Sequence, residues 1–266
     1  MTVLLAACAV WLLLRPHVVM DAAGAACRLF VTGVMPGLLP YMTVTLMLVS
    51  RLRRPLRPWQ VLLMGWCGGS PCGARLLREA GAIPHRRRIA AACATMSPMF
   101  LAGTLGRWLD SPRAGACILL AVLAGGLVAA AFVRERGTAA EAADPPRRLS
   151  LGQAVEDTAR TLLTVCGIMA VMRVAAALAA EAFPDGATVI MTLLEVTSGA
   201  ERIAGMQRIP LPLRTAMLAG ATGFGGASLV VQNRAACRIF SWGEQLALQA
   251  LHGGASFLAA LGLMLM

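Results

Sequence analysis

Residues 59–80 constrain this chain more than any other stretch. WQVLLMGW (59–66) and ARLLREA (74–80) form two arms of seven or eight residues around the break CGGSPCG (67–73). As helix, each arm spans roughly 10–12 Å at 1.5 Å per residue. Crossing a bilayer core of about 30 Å takes around 20 residues. The surroundings of the arms are strongly apolar: 58% of the chain is hydrophobic, 14% is charged and the mean hydropathy is +0.71. Soluble domains run nearer 45–50% apolar and about 25% charged. The chain therefore reads as a polytopic membrane protein. Within it, 59–80 reads as a re-entrant helical hairpin that enters and leaves on one side.

Charge supports the membrane reading and excludes another. All 24 basic residues are arginine against 13 acids, for a net charge of +11. Such a balance in a soluble chain would suggest nucleic acid. With one Tyr and no basic stripe interleaved with aromatics, no nucleic-acid partner is expected. The arginines cluster in RLRRPLRP (51–58), HRRR (85–88) and RERGTAAEAADPPRRLS (134–150). The positive-inside rule makes these segments cytoplasmic, together with Arg234 and Arg238. The acidic loop Glu181–Asp185 then lies outside, and so, against the rule, do Arg202, Arg208 and Arg214.

Along the chain, residues 1–14 form a short apolar helix. AAGAA (22–26) resembles a signal-cleavage context. No positive n-region precedes the helix, so it reads as uncleaved. Residues 18–35, with Asp21 and Arg28, read as an interfacial amphipathic helix, leading to a span at 36–50. After the hairpin come spans at 89–106 and 114–133, then the linker. Residues 151–160 read as a second amphipathic segment and 161–180 as a span. TVIMTLLEV (188–196), TSG (197–199) and AERIAGM (200–206) repeat the arm, break, arm pattern, and spans at 213–233 and 245–266 follow.

The order of elements thus recurs. Gly73-Ala74 and Gly199-Ala200 lie 126 apart, and Ala94-Thr95 and Ala221-Thr222 lie 127 apart. A first unit with an odd number of full crossings places the second on the opposite face, the inverted-repeat plan of secondary transporters. The expected fold is an all-α polytopic membrane protein with about seven transmembrane helices and two re-entrant hairpins in an inverted repeat. Its parts are an N-terminal transmembrane helix (1–17), repeat unit 1 (18–133), a cytoplasmic linker (134–150) and repeat unit 2 (151–266).

Common catalytic signatures are missing. The eight cysteines are scattered, mostly within apolar runs, and contain no C-x-x-C, so they read as small buried hydrophobes. His17, His85 and His252 lie far apart without Cys or acid partners, and no metal site is expected. There is no Walker loop, no G-x-G-x-x-G behind a strand and no G-x-S-x-G. Neither enzymatic activity nor a cofactor is expected.

Four interruptions fall at apparent membrane depth: CGGSPCG (67–73), MSP (96–98), EVTSG (195–199) and GFGG (223–226). Non-helical backbone in lipid leaves unpaired N–H and C=O groups, so it survives only in protein or around a cavity. Matched interruptions mark a transporter's binding site. The candidate substrate-binding residues are therefore Ser70, Pro71, Gly73, Arg75, Ser97, Pro98, Glu195, Ser198, Gly199, Gly225 and Gln232.

Each has a plain alternative. Ser70-Pro71 is a suitable helix start, its Ser able to cap and its Pro preset at the first position. It would aim free N–H groups at an anion, with Arg75 one turn on supplying formal charge. Arg75 could equally snorkel or pair with Glu79. Ser97-Pro98 is either a second such start or a proline kink. Ser198-Gly-Ala-Glu201 fits a capping box, which makes Glu201 structural. Glu195 has no local role of that kind; it could couple protons, bind a cation or pair with Arg75 in a shared cavity. Gly225 would unwind a helix or simply permit close packing. Gln232 and Asn233 would contact ligand or cap a helix end at the interface.

The motifs VMPGLLPYM (34–42), GGSPCGARLL (68–77), SPMFLAG (97–103), LLEVTSG (193–199) and GFGGASLVVQ (223–232) run in order along nearly the whole chain. In these the sequence resembles the sporulation integral membrane protein YlbJ family, within the nucleoside-recognition (Gate) domain group. That group is also seen in nucleoside and ferrous-iron transporters. The family more often has an aromatic-Pro-x-Gly-Ala-Lys pattern where this chain has Ser70-Pro71 and Arg75. A full positive charge at position 75 is retained. The resemblance implies a role in spore formation and transport of a small anionic metabolite, dipicolinate being the family's best candidate. It also implies a bacterial inner membrane or forespore envelope location, with the bilayer, a small anion and a coupling ion as partners. A non-transporting scaffold of the sporulation machinery and a nucleoside carrier are the alternatives.

Overall fold

The computed structural model describes residues 2–52, 56–80, 83–135 and 148–266. Most of the expected linker, and Arg53 and Arg54 of the first arginine cluster, lie outside the described residues. Every regular element among those described is a helix. In the first half these are α1 (Thr2–Leu14), α2 (Pro16–Leu29), α3 (Met35–Arg51), α4 (Pro58–Gly68), α5 (Cys72–Glu79), α6 (Arg86–Ala92), α7 (Leu105–Trp108) and α8 (Pro112–Ala131). The second half holds α9 (Leu151–Ala182), α10 (Ala187–Leu194), α11 (Val196–Ala204), α12 (Leu211–Phe224), α13 (Gly226–Ala236) and α14 (Trp242–Leu265).

Among the described residues, four helical segments are long and apolar enough to cross a membrane: Pro16–Arg51, Pro112–Ala131, Leu151–Ala182 and Trp242–Leu265. Two of them correct the expected boundaries. The interfacial helix expected at 18–35 and the span at 36–50 form one helical segment. A π-helical turn at Phe30–Val34 joins α2 to α3. A proline at 36 cannot donate to a carbonyl one turn back, and the wider turn shifts the hydrogen-bond register there. Likewise, the separate segments expected at 151–160 and 161–180 are one 32-residue helix. Ser150 caps α9, accepting from the Gln153 N–H, while the Gln153 side chain accepts from the Ser150 N–H. No proline follows inside it. The two long segments pack antiparallel: Arg15 pairs with Glu181 at one end, and the Leu149 N–H donates to Ser50 Oγ at the other.

A second body of packing joins the halves. α8 lies against α12 and α14, which also pack on each other. Their shared core includes Leu101, Ile118, Val122, Leu218, Ala219 and Ala260. The approach is close because the facing residues are small. A Cβ on Gly253 would stand 2.8 Å from the Gly220 carbonyl oxygen, too near for any side chain. Around α3, α4, α5 and α9 a separate core gathers Phe30, Leu38, Met42, Val61, Leu76, Leu77 and Leu162.

One end of the molecule is tied by arginine. Arg87 of α6 is buried; it donates to the carbonyls of Arg134 and Ile239, pairs with Glu244 at 2.9 Å and lies 4.9 Å from the Phe240 ring centre. A guanidinium has enough donors for all of these, and burial is offset by the ion pair and the stacking. The loops before α6, after α8 and before α14 therefore meet at one end.

Candidate functional site

Each of the four interruptions is a real break in helix. α4 ends at Gly68 and α5 begins at Cys72. α6 ends at Ala92, before an irregular segment that leads to the π-helical turn Met99–Thr104. α10 ends at Leu194 and α11 begins at Val196. α12 and α13 meet at Gly225, whose φ of 77° lies in the left-handed region that favours glycine.

The breaks cross in pairs. In the first half, the Ser70 N–H donates to the Thr95 carbonyl at 2.6 Å. Gly69, at φ 66°, lies so close to the 96–97 backbone that a Cβ would reach the Met96 carbonyl carbon at 2.7 Å. In the second half, Gly226 (φ 67°) lies against the end of α10, where a Cβ would meet the Thr192 oxygen at 2.9 Å. Backbone meets backbone in both places, which only glycine permits.

The two crossings adjoin one central cavity of about 40 Å³. Ser70, Ser97, Glu195, Thr197, Ser228 and Gln232 supply its polar lining, with Leu38, Phe100, Val165 and Met169 among the apolar residues. That volume holds a water or two. Of the sequence-derived candidates, Ser70, Ser97, Glu195 and Gln232 come together here.

The roles inside this centre differ from those expected. Ser70 does not cap α5: position 71 precedes the helix without a side-chain cap, and the Ser70 hydroxyl donates instead to Asn233 Oδ1. Ser97 does accept from the Phe100 N–H, at a long 3.4 Å. The capping box at Ser198 and Glu201 is not formed. Glu195 is itself the cap of α11. Its carboxylate accepts from the Thr197 and Ser198 N–H groups at 3.2 and 2.8 Å, and from their hydroxyls at 2.6 and 2.8 Å. Glu201 pairs with Arg173 at 2.8 Å instead. Gly199 packs against Thr192, where a Cβ would stand 2.5 Å from Thr192 Cα. Gly73 packs likewise against Cys93.

Arg75 and Glu195 do not pair, nor do they line the same cavity. Arg75 is 7% exposed; its Nη1 donates to the Asp157 carbonyl and the Thr161 hydroxyl, and its Nη2 lies 3.8 Å from the Asp157 carboxylate. Helix α9 holds it, not Glu79. The sequence offers no sign of this, because Asp157 and Thr161 lie more than 80 residues away. Arg75 Nε is buried without a partner. With Pro71, Arg78, Arg160, Thr164 and Gln232 it lines a second, more open cavity of about 210 Å³. Gln232 borders both cavities and forms a wall between them. No group of His, Cys, Asp and Glu among the described residues is arranged to hold a metal.

Compared with protein-family models, curated proteins and solved structures, the chain matches none.

Proposed function

We propose that the chain is a secondary-transporter-like membrane protein that moves a small anionic metabolite. One observation carries the reading: four broken helices, two from each half, converge on a polar centre. Lipid would leave their free backbone groups unpaired, and a scaffold has no use for stacking such breaks beside ionisable groups. The four long segments, with α6–α7 and α12–α13 as broken crossings and α1 at the N-terminus, make up seven spans. On this reading, α4–α5 and α10–α11 are the two re-entrant hairpins. The halves are then inverted relative to one another, and the arginine-tied end faces the cytoplasm.

In this scheme the anion meets the Arg75, Arg78 and Arg160 cavity first. Arg75 is the anchor there, with a spare Nε donor and a rigid fork suited to a carboxylate. An anion that goes on past Gln232 meets Glu195. Its repulsion there is offset when a cation or proton travels with it, so a coupling ion belongs to the scheme. A bacterial inner-membrane location, a role in spore formation and dipicolinate as the metabolite rest on the motif resemblance.

Counterflow in proteoliposomes tests the reading, comparing aromatic dicarboxylates with nucleosides. Dicarboxylate exchange is expected, reduced at least about tenfold by Arg75→Ala and partly retained by Arg75→Lys, which keeps the charge but not the fork. Nucleoside exchange indifferent to Arg75→Ala would sink the anion. Absence of exchange for every solute would leave the scaffold.

A further inference from the structure

A third cavity lies on the other side of α13, between α6 and α14. Its polar lining is uncharged: Asn233, Gln245, Gln249 and His252, with Cys93 and Phe240 among their neighbours. Among the described residues, no Asp, Glu or Arg side chain lines it. On α14, Gln245, Gln249, His252 and Ser256 follow at steps of four, three and four. They form one polar stripe, and all four are buried. Two of its members are satisfied: His252 Nε2 is 2.8 Å from the Val122 carbonyl, and Ser256 donates to the His252 carbonyl.

Gln249 is not. It is 2% exposed, and both its Nε2 and its Oε1 are buried without a partner. Asn233 Nδ2 is also buried and unpartnered, although Asn233 Oδ1 accepts from Ser70. Buried amides left this way cost about 1–3 kcal/mol each, and native chains rarely keep them without a partner from outside. The buried, unpartnered inventory is two donor groups and one acceptor, and the formal charges of Arg87 and Glu244, paired with each other, lie behind Phe240 and outside the lining. An ion would find no countercharge in the lining; an apolar guest would leave all three groups unpaired.

We propose that this cavity is a binding site for a neutral group that presents a hydrogen-bond donor and an acceptor on one edge. Water and a small carboxamide share that chemistry. The cavity, about 40 Å³ in volume, takes a water or two as it stands and the head of a carboxamide with slight widening. The site is separate from the arginine cavity, so failure of anion transport would leave this proposal untouched.

Thermal unfolding of the purified full-length protein in detergent decides the matter by sign. With a neutral partner bound at Gln249, Gln249→Met removes a satisfied amide, and Tm should fall by about 3 °C or more. Acetamide is the probe for the source. If it raises the wild-type Tm by about 3 °C at roughly tenfold excess over its Kd and leaves Gln249→Met unmoved, the guest is a carboxamide. If Tm falls in the variant and acetamide does nothing to either protein, the guest is water. An unchanged or higher Tm for Gln249→Met overturns the proposal, because a dry cavity gains when an unpaired amide is removed. Should the variant not fold, a high-resolution density map of the wild type serves instead. Density bridging Gln249 to Asn233 supports the site, and an empty cavity there overturns it.

Discussion

The crossing of breaks in the first half and its counterpart in the second achieve one geometry by different means. At Ser70 the break is held from outside: its N–H goes to Thr95 and its hydroxyl to Asn233, which is 163 residues away. At Glu195 the break holds itself, since one carboxylate takes four donors from two residues, Thr197 and Ser198. The first crossing is neutral at its centre and keeps its charge, Arg75, one helical turn away against α9. The second places its charge at the centre. A locally capped break can keep its shape when its neighbours move; one tied to another helix moves with that helix. On the transport reading, the first hairpin tip follows α13, whereas the second is a fixed wall.

Substitutions can break or sharpen this contrast. The largest effect is expected at Glu195. Glu195→Ala orphans four buried donors and should destabilise by about 3 kcal/mol in thermal or denaturant unfolding, whereas Glu195→Gln keeps an acceptor and should cost about half as much. A loss below about 0.5 kcal/mol for the alanine variant would show that the cap contributes little. Next comes Gly69→Ala, which drives a Cβ into the 96–97 backbone at a positive φ and should cost about 2–3 kcal/mol. Gly254→Ala is its control: nothing lies within 4 Å of that Cβ, and a mid-helix alanine is expected to stabilise slightly. Ser70→Ala leaves Asn233 Oδ1 unpaired and should cost about 1 kcal/mol. A cost equal to that of Glu195→Ala would erase the distinction between the two crossings. Smallest is Ser97→Ala, expected within about 0.5 kcal/mol because its cap bond is long.

Sequence reasoning finds the breaks because Gly, Ser and Pro interrupt apolar runs at matched places, and backbone chemistry makes such interruptions costly unless they are sheltered. It goes astray where two local rules compete. The S-x-x-E pattern at Ser198 points to a cap, yet Glu195 lies nearer the true helix start and its carboxylate reaches both Thr197 and Ser198. Prolines at 36 and 40 argue for a helix boundary, but a π-helical turn precedes Pro36 at the start of α3, and Pro40 lies inside that helix. Arg75's partners are set by tertiary packing, which no spacing on α5 reveals. The polar stripe on α14 was legible at 245, 249, 252 and 256, since its spacing is helical and its surroundings apolar.

The contact of α8 with α12 and α14 has a consequence for how the chain comes together. α8 ends at Ala131, while α14 begins only at Trp242. During synthesis, the side of α8 meant for α12 and α14 is complete long before its partners exist. Until the last two dozen residues arrive, the buried surfaces of Gly125 and Gly126 have neither His252 nor Ser256 in place. A chain truncated before α14 would thus lose more than its final helix: it would leave the helix preceding the midpoint unfinished. The two halves mature as one object.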